Sequence, residues 1–338
     1  MAMSKTALAA LRTASRLKPS VKGSLRLQRT LEDVGAHLSL PNPHCRIDDM
    51  GATMPDGYEV PLRVFTPLDI SLAPRRGRVV TGGSRGTILF FHGGGWVTGD
   101  IDTYTDACSA MAIRLERRVV SVGYRLAPEW RFPRAAEDCF EVARQLFSGE
   151  LVDDVDPGRV VLFGDSAGGN LAAVTSLMAR DRGAFEPPAQ VLLYPVTYSD
   201  HDPATSPFDS VRDNGRDYLL TSADMCAYVE LYASRELDRA DPYLAPLLMR
   251  DLTHQPRTLV VTAEYDPLRD EGEAYAVALA DAGAETYCFR MLDAVHGYLL
   301  YPAVTGIVRN TYRLVQAFLD RTEIEAGDEA AWVERGMR

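Results

Sequence analysis

From residue 87 onward the chain alternates short apolar runs with helix-patterned tracts, and this alternation constrains the fold more than any other feature. TILFF (87–91), RVVSVGY (118–124), RVVLF (159–163), AQVLLYP (189–195), RTLVVTA (257–263) and TYCFRML (286–292) read as strands. Residues 103–117, 134–147, 168–181, 270–282 and 303–320 carry helical patterning. Strands that are apolar throughout, rather than alternating, are those buried on both faces. The order therefore implies a mostly parallel sheet with helices on both sides. Ahead of it, CRIDDMGATM and YEVPLRVF flank a Pro-Asp-Gly turn at 55–57 and read as a hairpin. Leu27, Leu31, Val34 and Leu38 suggest a short helix ended near Pro41, and residues 66–86 read as an exposed loop. Residues 196–245, rich in Asp, Pro, Ser and Tyr, interrupt the rhythm with one helical tract near 222–234, as a lid or binding element would.

One junction carries chemistry. RVVLF runs into Gly164-Asp165-Ser166-Ala167-Gly168-Gly169 and then into a helix. A P-loop needs a lysine after its glycines, and a dinucleotide site needs Gly-x-Gly-x-x-Gly; neither spacing is present. Gly-x-Ser-x-Gly between strand and helix matches a nucleophile elbow, where a serine is held on a tight bend and Cβ atoms two positions away would collide. Helix N-terminal N–H groups then face charge developing near Ser166.

A serine hydroxyl needs a base, and in this topology an acid and then a histidine follow the serine. Of the six histidines, His201, His254 and His296 lie after Ser166. LVVTAEYDPLRDEG places Asp266 just past a strand, and only His296 follows it. The expected triad is Ser166, Asp266 and His296. Asp270, Glu264 and Asp293 are competing acids, of which Asp270 reads as the N-cap of the helix starting near 271. The run FFHGGGW (90–96) ends a strand on three glycines, so Gly94 and Gly95, with the Ala167 N–H, are the expected oxyanion donors. His92 reads as a brace for that loop rather than as the base. Trp96, Tyr198 and Phe208 are expected to shape the substrate pocket.

With HGGGW at 92–96, GDSAGGN at 164–170, YDPLRDEG at 265–272 and HGY at 296–298, the chain resembles the hormone-sensitive-lipase-like esterases of the α/β-hydrolase fold. YRLAPEWRFPRAAED (124–138) and DPYLAPLL (241–248) add to the likeness, which spans roughly residues 45–320. The resemblance implies an eight-stranded, mostly parallel sheet with a helical cap. It divides the chain into N-terminal cap helices (1–45), a hydrolase core (46–195 and 241–322), a cap insertion (196–240) and a polar tail (323–338). It implies the same triad and oxyanion donors, no metal or cofactor, and hydrolysis of short- to medium-chain acyl esters. An amide, formamide or lactone hydrolase with the same triad is the alternative, and a non-catalytic receptor on the same fold a more distant one. The 66–86 loop is longer and more basic than the family's usual form.

Composition narrows the partners. A net charge of −11 excludes the basic footprint of a nucleic-acid binder. No apolar run reaches the 18 residues of a membrane span, so no stable membrane insertion is expected. Five scattered cysteines, without a Cys-x-x-Cys pair, suit a reducing cytoplasm. The expected partner is a small-molecule ester, and a homodimer is compatible with this reading. The first 31 residues hold Lys5, Arg12, Arg16, Lys18, Lys22, Arg26 and Arg29 and no acid. Met3, Ala7, Ala10, Ala14 and Leu17 form a small-residue face opposite them. A membrane-surface helix or a transit peptide would carry this pattern, but such a face binds lipid weakly, so the segment reads rather as a helix packed on the body with its basic side outward.

Overall fold

A computed structural model describes residues 11–13, 15, 19–36, 42–68, 85–233, 235–324 and 330–333. The small-residue face expected around Met3–Leu17 and most of the 66–86 loop lie outside these residues.

Nine strands form one sheet in the order β1-β2-β4-β3-β5-β6-β7-β8-β9. The hairpin is β1 (Cys45–Thr53) and β2 (Glu59–Pro67), paired antiparallel, and β2 runs antiparallel to β4 (Arg118–Val122). Six strands are mutually parallel: β4, β3 (Thr87–Phe91), β5 (Val160–Asp165), β6 (Ala189–Leu193), β7 (Arg257–Tyr265) and β8 (Thr286–Val295). All residues of β3, β5 and β6 are buried, as strands covered on both faces must be. The ninth strand, β9 (Ala330–Trp332), pairs antiparallel with β8. The sheet thus has nine strands, not eight, and part of the sequence read as a polar tail closes one edge. Three residues are too short to show period-2 patterning, so only the waiting edge of β8 makes them a strand.

Helices cover both faces. On one side α3 (Arg134–Phe147), α4 (Ala167–Arg182) and α8 (Arg269–Asp281) bury Leu146, Leu171, Leu177 and Leu279. On the other, α2 (Thr105–Leu115) and α9 (Gly306–Asp320) bury Met111, Leu115, Leu314 and Phe318. The stretch after β6 holds α5 (Asp209–Asp213), α6 (Ser222–Tyr232) and α7 (Glu236–Arg239). N-terminal to the hairpin, α1 (Val21–Ala36) starts earlier than the expected apolar stripe, and Leu27 of that stripe points into solvent.

The basic N-terminal residues meet acids. Arg12 pairs with Asp217 at 3.2 Å and Lys22 with Glu230 at 2.5 Å, both acids lying in the stretch after β6. Arg29 reaches further: it pairs with Glu129 and donates to the Val97 carbonyl (2.9 Å) and the Ala127 carbonyl (2.7 Å). One side chain thus fastens α1 to the segment that follows the three-glycine run.

Candidate active site

The strand order reverses between β3 and β5, and in open parallel sheets the crevice outside the carboxyl ends at such a switch is where ligands sit. Phe91 at the end of β3 is in register with Gly164 near the end of β5. The glycine loop and the serine elbow therefore emerge side by side.

Ser166 connects β5 to α4 at φ 56°, ψ −120°, a conformation that L-residues adopt only under constraint. The glycines explain how the bend closes. A Cβ on Gly164 would lie 2.0 Å from the Gly168 carbonyl oxygen, and one on Gly168 would lie 1.9 Å from that of Phe91. The serine Oγ lies 2.8 Å from His296 Nε2, and His296 Nδ1 lies 2.7 Å from Asp266 Oδ2. A carboxylate only accepts, so Nδ1 carries the proton and Nε2 is left to accept from the serine hydroxyl. Asp266 is fully buried, and its second oxygen accepts the Leu268 N–H at 2.9 Å. Three side chains separated by 100 and 30 positions in sequence form one continuous relay.

Gly94 (φ 111°) and Gly95 (φ 61°) adopt backbone conformations that favour glycine. They line a cavity of about 230 Å³ with Ser166, His296, Leu219, Leu220, Met225, Tyr228 and Leu300. Ala167 opens α4 beside the serine, where helix N–H groups lack intrahelical partners. Trp96, Tyr198 and Phe208 are not part of the cavity lining. Trp96 is fully buried and stacks on Tyr232 at 4.8 Å, while Tyr198 and Phe208 pack edge-on against each other at 5.4 Å. The apolar walls come instead from Leu219, Leu220, Met225 and Tyr228, in and just before α6. Their spacing resembles ordinary helix packing, so sequence gave no signal for them.

His92 donates Nδ1–H to the Gly93 carbonyl at 2.7 Å and stacks on Tyr124 at 4.2 Å. Burial pushes its imidazolium down to about 4, so it is neutral at ordinary pH. Asp270 does not cap its helix. Leu268 holds that position, and the Asp270 carboxylate accepts the Ser210 N–H from α5 instead.

Sequence reasoning passed over Asp165. Its carboxylate accepts from Gly93 N–H (2.9 Å), Tyr104 O–H (3.1 Å) and Tyr194 O–H (3.3 Å). Tyr194 Oη in turn accepts the Leu299 N–H, three residues beyond His296. One buried acid thereby ties the glycine loop, the elbow and the histidine loop together. Burial pushes it up to about 6, against the downward pull of Tyr104, the His296 charge, Gly93 and Tyr194. Its only sequence signal is an acid at the end of a fully apolar strand, where a charge is costly unless hydrogen-bonded. Asn170 was missed as well. Its Nδ2 donates to the carbonyls of Val196 (2.9 Å) and Leu244 (2.8 Å), one on each side of the inserted helices.

Comparison with known proteins identifies the family. A family model described as alpha/beta hydrolase fold matches residues 88–300. The chain belongs to the hormone-sensitive-lipase-like esterases. An arylesterase of Saccharolobus solfataricus is 38% identical over 257 residues, covering 75% of this chain and 77% of that one. The carboxylic ester hydrolase LipN of Mycobacterium tuberculosis is 36% identical over 290 residues, covering 82% and 72%. Among solved structures, a hyperthermophilic esterase from Pyrobaculum calidifontis superposes with a TM-score of 0.81 at 32% identity, over 95% of this chain and 99% of that one. As a member of this esterase family, the chain is a carboxylic ester hydrolase.

Proposed function

We propose that the protein hydrolyses short- to medium-chain acyl esters through an acyl-enzyme on Ser166. His296 Nε2 takes the hydroxyl proton as Oγ attacks the ester carbonyl. Asp266 keeps the imidazole oriented and stabilises its charged form, and the N–H groups of Gly94, Gly95 and Ala167 receive the oxyanion. The alcohol leaves with the proton from His296. Water then attacks the acyl-enzyme by the same route and releases the acid. The observation that carries this reading is the Ser166–His296–Asp266 relay, at 2.8 and 2.7 Å, ending on a fully buried carboxylate.

The acyl preference rests on the cavity. About 230 Å³ walled by Leu219, Leu220, Met225 and Leu300 suits a short apolar chain. A p-nitrophenyl ester series from C2 to C16 tests it: kcat/KM should peak at or below C8 and fall at least tenfold by C16. A maximum at C12 or longer would refute the assignment. An organophosphate should label Ser166 stoichiometrically and abolish turnover. We also propose a cytoplasmic setting, which the five free thiols support, four of them buried.

A further inference from the structure

The opposite edge of the sheet holds a cluster that ester hydrolysis does not use. Arg85, Arg117, Arg159, Arg257 and Arg321 line one cavity of about 150 Å³ with Val161, Pro188, Ala189 and Leu319, and no acidic side chain lines it among the described residues. The arginines arrive there because four of them precede or open the parallel strands. Arg85 lies two residues before β3, Arg117 one before β4 and Arg159 one before β5; Arg257 opens β7 and Arg321 follows α9. The six residues of β5 separate Arg159 from Ser166, about 20 Å at strand rise, so the cluster is separate from the catalytic crevice.

Arg85 is half exposed and paired with Glu116 and Asp320, both at 2.8 Å, and the other four side chains divide into two sets. Arg117 and Arg257 are buried and held. Arg117 donates to the Leu115 carbonyl (2.8 Å) and pairs with Asp320 (2.8 Å). Arg257 donates to the Phe318 carbonyl, lies over the Phe318 ring at 4.0 Å and pairs with Glu285 at 3.0 Å. Arg159 and Arg321 are exposed and loosely matched, to Asp156 at 3.4 Å and to Glu285 at 3.8 Å. Both distances exceed that of a good charge-assisted hydrogen bond, which leaves their guanidinium forks available. Burial holds Arg257 below the ordinary guanidinium range; Glu285 opposes the shift and the Arg321 charge adds to it. Asp320, largely buried, bridges Arg85 and Arg117, while Asp156, Glu116 and Glu285 face water. The chain's net charge of −11 does not cancel the arginines' charge locally, because charges farther than about 8–10 Å are screened at physiological salt.

We propose that this cavity is a second binding site, taking a small phosphate-type dianion between Arg159 and Arg321 above the fixed Arg117 and Arg257. Guanidinium forks match the tetrahedral oxyanion's paired oxygens, and two exposed, loosely paired arginines suit a dianion better than a single carboxylate. The cavity has room for several waters, hence for one phosphate group, and is too small to enclose a nucleotide. A bound dianion would tie together the leads into β3, β4, β5 and β7 and stabilise the folded chain by mass action.

Titration calorimetry and thermal unfolding with inorganic phosphate, against sodium chloride at matched ionic strength, test the site. Wild type should bind with millimolar or tighter affinity and unfold several degrees higher in phosphate. The Arg159→Gln/Arg321→Gln double variant alters only exposed side chains, and circular dichroism and ester turnover confirm that it folds. It should lose at least tenfold in affinity together with the thermal shift. Phosphate also stabilises proteins by exclusion from their surface, so a shift that survives in the double variant overturns the proposal, as does the absence of binding heat in wild type. Glycerol 3-phosphate, run alongside, separates the sources. Equal affinity assigns the site to a phosphate monoester, and a tenfold weaker affinity assigns it to free phosphate.

Discussion

Ser166 is held at φ 56° by its neighbours rather than by its own preference, and the residues around it divide into those that react and those that hold position. Replacing Ser166 by Ala should cost on the order of 10⁶ in kcat, and Asp266→Asn on the order of 10⁴, because the amide presents its donor to Nδ1 and imposes the wrong tautomer. Pre-steady-state acyl-enzyme bursts with purified variants check both. Asp165 belongs to the second group. Asp165→Ala should lower kcat at least 10²-fold with KM little changed, because the Gly93 N–H loses the acceptor that places the glycine loop. Asp165→Asn keeps an acceptor and should retain most of the activity. The same pair tests electrostatics. A carboxyl raised in the fold from its ordinary value of 3.8 to about 6 binds its proton more tightly folded than unfolded, so its contribution to stability falls as pH rises between those values. Relative to wild type, Asp165→Asn should therefore gain on the order of 3 kcal/mol between pH 4 and pH 7. Parallel denaturation curves at the two pH values would contradict this.

Among the elements, the helix after the serine and the helix over the cavity do most to shape the site. Helix α4 is buried from Ala167 through Ala179, so its start cannot shift without moving the sheet. A Gly168→Ala change meets backbone at 1.9 Å and should give insoluble or inactive protein, measured by soluble yield and circular dichroism. Helix α6 is a separate element, begun by a capping box in which Thr221 accepts the Asp224 N–H and Asp224 accepts the Thr221 N–H. Thr221→Ala should cost about 1 kcal/mol. Because α6 carries Met225 and Tyr228, KM should rise while kcat with a small ester stays nearly constant, and the ratio of C4 to C8 turnover reads this out.

For the molecule as a whole, Arg29 is one of the side chains that join α1 to the rest of the described structure. Its loss leaves the Val97 and Ala127 carbonyls without that side-chain donor and removes one of the tethers of α1, the Lys22–Glu230 pair remaining. Arg29→Ala should reduce stability by about 1–3 kcal/mol and make the N-terminal segment the first site of proteolysis, which limited digestion with mass spectrometry would show. The buried Arg125–Asp138 pair, at 2.5 Å, is further bound by Asp56, and the Arg125 guanidinium lies 4.4 Å from the Tyr58 ring centre and 4.9 Å from that of Trp130. Removing one partner from such a pair leaves an uncompensated buried charge, so Asp138→Ala should lower Tm by roughly ten degrees, measured by calorimetry.

The fold and the relay were legible along the chain because each depends on local patterns: apolar strands long enough to be buried on both faces, glycines flanking a serine, an acid and a histidine just past strand ends. These patterns reflect backbone sterics and hydrogen-bond chemistry, which act at short range and leave their mark in neighbouring residues. The cavity walls, the Asp165 tether, the Asn170 clasp, β9 and the arginine cluster left no such mark. Leu219 and Leu300 line one cavity, and Arg85 and Arg321 another, only after the fold has brought distant segments together. A single hydrophobic or charged side chain carries no record of which distant partner it will face, so tertiary packing alone decided which residues border the substrate and which gather at the far end.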